Sequence, residues 1–282
     1  MNKALLFFVF LLACLKLSAQ KSTTFRMQYA PGHTYAMTTE MSMDFNVDLS
    51  GDQDITDKLS AQGITSPVKA TMTMTMEGNT QTGEADGQHV FPVTMKVNLD
   101  KMTMKLGERD IPIPAIANKP TIIYGHVLQD GKIKADSLNG QYVADSSSSR
   151  VAQIMNNAQY KIKFPDHPLK VGDTFVQDMP FAIPMAQNEN GATAIKATYK
   201  LTGINDGKAY FDVDQQVDMK LNFKGVIISI TGGGSGKMIY SVKDNFPVDY
   251  TTNMNIKLDG QVNTLMIKGS FTVVGETKYV IN

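Results

Sequence analysis

From Tyr35 to Leu49 apolar and polar positions alternate. The odd positions read Tyr, Met, Thr, Met, Met, Phe, Val, Leu and the even ones Ala, Thr, Glu, Ser, Asp, Asn, Asp. Period two puts successive side chains on opposite faces of a strand, so this run predicts a strand with one buried and one wet face. The pattern returns at Val68, Ala70, Met72, Met74 and Met76 against Lys69, Thr71, Thr73, Thr75 and Glu77, and again at Phe91, Val93, Met95, Val97 and Leu99. Asp130-Gly131, Asp206-Gly207 and Asp259-Gly260 stand between alternating runs and are read as hairpin turns. A strand of about fifteen residues reaches about 50 Å, which requires coiling. The expected fold is therefore all-β: long antiparallel strands in two related curved sheets or half-barrels.

One stretch departs from the pattern. Ser146 to Ser149 can cap a helix in which Val151, Ile154, Met155 and Ala158 share a face, predicting one short connecting helix. The halves flanking it run in the same order. Val68-Lys69-Ala70-Thr71 matches Ile195-Lys196-Ala197-Thr198, and Gly32-His33-Thr34-Tyr35 parallels Gly172-Asp173-Thr174-Phe175. These matches point to an internal repeat, with β units at 21–135 and 159–282 and a linker at 136–158.

The first twenty residues read as a secretory signal peptide, with Lys3, an apolar stretch from Ala4 to Ala13, and the small-residue site Ser18-Ala19-Gln20. Leu11-Leu12-Ala13-Cys14 offers a competing reading as a lipobox, in which Cys14 is acylated and becomes the first residue. Cutting after Gln20 removes the single cysteine, and with it any disulfide or thiolate metal site. Loss of Lys3 and Lys16 takes 27 basic and 27 acidic residues to 25 against 27, a balance that attracts no nucleic acid. No later run is apolar over 18 residues, so no transmembrane helix is expected after the signal.

Catalytic signals are sparse. His33, His89, His126 and His167 are scattered without zinc-site spacing. Gly232-Gly233-Gly234-Ser235-Gly236-Lys237 lacks the leading glycine and trailing Ser or Thr of a phosphate loop, and an alternating strand follows it. It reads as a strand segment or turn needing close backbone approach. Asp52, Asp54 and Asp57 read as a solvated acidic loop without the glycine of a calcium site. No cofactor, metal or catalytic residue is nominated, and the chain is read as non-enzymatic.

Methionine is the unusual abundance, with 18 residues beside no tryptophan. Met37, Met41, Met43, Phe45, Met72, Met74, Met76 and Met95 are the candidate ligand-binding residues, all on the predicted buried faces, where Met102 and Met104 join them. Flexible thioethers suit either an irregular core or an adaptable apolar site for a lipid-like molecule. Met-x-Met also matches soft Cu(I) ligation, but residues at i and i+2 lie about 7 Å apart and need partners from neighbouring strands.

The Ser-Ala-Gln ending, Pro31-Gly32-His33-Thr34-Tyr35, the Pro168 to Phe175 segment and the glycine run before Asn245-Phe246-Pro247 resemble an uncharacterised family of exported bacterial envelope proteins. The resemblance implies a periplasmic or outer-membrane-associated location and supplies no catalytic residues. Two functional expectations follow: a carrier of an apolar small molecule or lipid on a Met-rich sheet face, or a structural or protein-interaction module with an envelope partner, anchored through Cys14.

Overall fold

A computed structural model describes residues 22–112, 120–142, 162–180, 194–223 and 226–282. The strands are β1 (Thr34–Ser50), β2 (Val68–Thr82), β3 (Phe91–Leu106), β4 (Arg109–Ile111), β5 (Thr121–Val127), β6 (Ile133–Leu138), β7 (Gln141–Tyr142), β8 (Thr174–Pro180), β9 (Ala194–Asn205), β10 (Lys208–Phe223), β11 (Val226–Ser241), β12 (Phe246–Val262) and β13 (Leu265–Ile281). They form one antiparallel sheet in the order β7-β6-β5-β3-β2-β1-β13-β12-β11-β10-β9-β8, with β4 paired to β3. The fold is all-β and open, since β7 and β8 end the path without meeting. Its first and last long strands join at the centre, where β1 pairs with β13 from Tyr35 opposite Ile281 to Ser50 opposite Met266.

The alternation read from the sequence holds strand by strand. Asp206-Gly207 makes the β9–β10 turn, with φ of 50° and 72° at its two residues, the left-handed pair that a two-residue hairpin requires. Asp130-Gly131 likewise lies between β5 and β6. Asp259-Gly260 is not a turn but lies within β12. The chain reverses at Asn263-Thr264, where Asn263 takes φ 54°, a conformation asparagine tolerates.

The acidic cluster is helical rather than a loop. Helix α1 (Gln53–Ala61) connects β1 to β2, and its Asp52 cap accepts a hydrogen bond from the Asp54 amide at 3.0 Å. Acidic residues favour a helix N-terminus, where free amides and the helix dipole meet them. Ile55 and Leu59, one turn apart, are its half-buried residues along with Thr56. The predicted helix over Val151 to Ala158 lies outside the described residues, as does Cys14.

The glycine run lies inside β11 and meets the expectation of close backbone approach. A Cβ at Gly232, Gly234 or Gly236 would stand 2.3, 2.0 or 2.1 Å from the carbonyl oxygens of Asn255, Asn253 and Thr251 on β12. Side chains are excluded there because the neighbouring backbone occupies their space.

Among the described residues, two of three buried clusters sit at one end of the sheet, under an extended strap of residues 22–33, and the third, Val217, Met219, Ile230, Met254 and Ile256, lies further along β10 to β12. The strap alternates too: Phe25 and Tyr29 are buried, Met27 half-buried, and Thr24, Arg26 and Gln28 exposed. Phe25 packs edge-on against Phe211 and Tyr240, at 5.3 Å in each case, in a cluster drawn from β8 to β11. Tyr29 packs against Tyr35 and Phe246, in a cluster drawn from β1, β3, β5 and β12. Met27 touches both clusters. The strap is fastened by the Thr23–Leu169 bridge, the Gln28 amide on the Asn245 carbonyl, and the Tyr240 hydroxyl, which donates to the Arg26 carbonyl.

Candidate functional site

Residues directly opposite in a sheet share a face, so the register states which side chains meet. Met43 on β1 lies opposite Met72 on β2, which lies opposite Met104 on β3. Two residues along, Met41 lies opposite Met74, and Met74 opposite Met102. Six methionines therefore form a grid three strands wide and two rows deep. Phe45 extends it across the central seam, its ring stacked on that of Phe271 with centroids 5.5 Å apart and planes 28° apart. Val273, opposite Met43, and then Met254 and Ile256 on β12 continue the apolar surface.

Burial separates two zones along β1, β2, β3 and β13, whereas on β10 to β12 Val217, Met219, Ile230, Met254 and Ile256 of the same face stay buried beyond the strap. Near the strap, Tyr35, Phe91, Val93 and Met95 are buried, with Met95 at 4% exposure. Further along the same strands, Met41, Met43, Phe45, Met72, Met74, Met76, Met102, Met104, Phe271 and Val273 are only half-buried. The candidate residues therefore divide. Met41, Met43, Phe45, Met72 and Met74 come together, Met76 flanks them opposite Thr39 and Leu99, Met37 lies over Gly78 nearer the strap, and Met95 belongs to the aromatic core. Phe271 and Val273 complete the surface from β13, where it meets the buried Met254 and Ile256 of β12. Their own alternation carried a signal, but only the β1–β13 pairing reveals that they adjoin the methionines.

Polar groups on this face are neutral and hydrogen-bonded. Buried Gln215 on β10 donates from Nε2 to the Tyr250 hydroxyl at 2.9 Å and accepts from Thr252 Oγ1 at 2.5 Å. Thr39 and Thr277 bond to each other at 3.0 Å. Burial, with Tyr199 beside it, holds the Tyr250 phenol well above its ordinary range, and burial pushes Tyr240 up to about 12.

The opposite face carries the charges and a trough of about 1180 Å³. Along β10, β11, β12, β13 and β1 its lining takes three consecutive residues, such as Asp212-Val213-Asp214 and Glu40-Met41-Ser42, whereas β9 contributes Thr198 and Lys200 without Tyr199 between them. That pattern places the trough on the charged side. Lys237 meets Asp212 there at 3.6 Å. Of the four histidines, His126 pairs with Asp136 at 2.7 Å on the exposed surface, and His33 bonds the Pro31 carbonyl. Among the described residues, no group of three His, Cys, Asp or Glu side chains is placed to hold a metal, and no helix is long and apolar enough to cross a membrane.

No protein-family profile matches the chain, and no curated protein does. Among solved structures the chain is similar to lipovitellin, in a structure describing its lipid–protein interactions, with a TM-score of 0.40 and 12% identity. That alignment covers 90% of this chain and 26% of the other, so the chain spans about a quarter of lipovitellin's length.

Proposed function

We propose that this is a non-enzymatic, exported protein of the bacterial envelope that holds an apolar, lipid-like molecule against the methionine face. One observation carries the reading: a single sheet face passes from a buried aromatic core to an equally apolar but half-exposed surface of Met41, Met43, Phe45, Met72, Met74, Met102, Met104 and Phe271. Leaving such area in water forfeits about 25 cal/mol for each Å² that a ligand would cover. Unbranched thioethers can repack around chains of different shape.

Export rests on the residues of the first twenty positions, and the envelope location on the resemblance drawn from the sequence. Binding is tested by titrating the purified protein with a fluorescent fatty-acyl probe. Saturable binding that is lost in Met43→Asp and Met74→Asp variants, with Gly87→Ala as a folded control, supports the proposal. Probe binding that survives both substitutions places the ligand elsewhere and sinks it.

A further inference from the structure

The face that carries the methionines is free of charge far beyond them. Followed through the register across β1–β3 and β9–β13, not one described residue paired on this side is Asp, Glu, Lys, Arg or His, Asp100 in the β3 bulge having no register partner, while the other side of the same strands carries Glu40, Asp44, Lys200, Asp212, Lys237 and Glu276 among others. The register puts one cation on the apolar side at its rim. Arg109 on β4 lies opposite Leu106, exposed and close to Gly63. Polar groups that do occur there are uncharged, among them Gln215 bonded to Tyr250 and Thr252, and Thr39 bonded to Thr277.

An ionised headgroup laid on this surface would lose water and find no counter-charge, a heavy penalty. A molecule without formal charge meets no such cost. We propose that the site selects neutral lipids, such as long-chain esters or acylglycerols, over lipids that present a carboxylate or phosphate to the sheet. The inference rests on the lipid-binding reading above and names the ligand class of that same face.

Matched probes with one acyl chain test it: a fatty acid methyl ester and the free acid at pH 8, each competing with the fluorescent acyl probe on wild-type protein and on Met43→Lys. The wild type is expected to prefer the ester by at least tenfold. Met43→Lys is expected to move that ratio at least tenfold toward the acid, because it adds a counter-charge without altering how either probe partitions from water. Should Met43→Lys fail to fold, Met104→Lys places the amine two strands away in the same row. Equal binding of the two probes, or a ratio unmoved by the lysine, overturns neutral selection and leaves lipid binding standing. If neither probe competes, the lipid reading falls as well.

Discussion

Phe45 and Phe271 stack across the seam where the first and last long strands meet, their ring centroids 5.5 Å apart. The pair links residues 226 positions apart in the chain at directly opposite register positions. Both rings are half-buried, so each truncation to alanine should cost about 2 kcal/mol, below the 3–5 kcal/mol of a fully buried phenylalanine. A double-mutant cycle by urea denaturation should return a coupling of about 1 kcal/mol. Additive losses would mean that the rings do not support each other.

The β11 glycines are predicted to be intolerant of side chains. Gly234→Ala would drive a methyl to 2.0 Å from the Asn253 carbonyl, where the obstacle is backbone and not a movable side chain. A loss of at least about 2 kcal/mol is expected, with the β10–β12 amides losing hydrogen-exchange protection first. Gly87→Ala, with open space around the added carbon, should stay within about 0.5 kcal/mol of wild type.

Alkaline pH should release the strap. Burial raises the Tyr240 phenol from 10.0 to about 12 and raises Tyr29 and Tyr250 as well. A folded-state value above the unfolded one means that the unfolded chain loses its protons first. The contribution is therefore whole below pH 10 and is lost as pH climbs from 10 through 12. Chemical denaturation at pH 9 and 11 should show lower stability at pH 11. Tyr240→Phe should cost about 1 kcal/mol at pH 7 by removing the hydrogen bond to the Arg26 carbonyl, and should flatten that alkaline slope. An unchanged slope would assign the pH dependence to the other buried tyrosines.

Much of this fold is legible in the chain because period two is a local property: Tyr35 to Leu49 announces its two faces without reference to any partner. The glycine run was readable only in part, since an alternating strand follows it while its composition suits a turn as well as a strand. Asp259-Gly260 misleads because its local chemistry is that of a turn, whereas Gly260 sits opposite Ile228 in a strand that continues to Val262. The Asp52 to Asp57 cluster misleads because a nine-residue helix shows too few apolar positions to establish a period. The methionines were visible as candidates, but their grid was not. Met43, Met72 and Met104 meet only through registers set by the whole sheet, and Phe271 joins them only because β13 returns to β1.

The grid also provides the cross-strand convergence that soft-metal ligation would need, so sulfur and shape must be told apart. Replacing Met41, Met43, Met72 and Met74 together with leucine keeps volume and apolarity but removes the thioethers. The acyl probe should bind the leucine variant within about threefold of wild type. A collapse of binding with the fold intact by circular dichroism would assign the role to sulfur.

The most direct measurement is native mass spectrometry of the protein after export by a bacterial host, followed by organic extraction. Excess mass is expected that extraction removes as a lipid-like molecule and that a Met43→Asp/Met74→Asp variant no longer carries. Protein of the bare polypeptide mass that also fails to take up the acyl probe would contradict it.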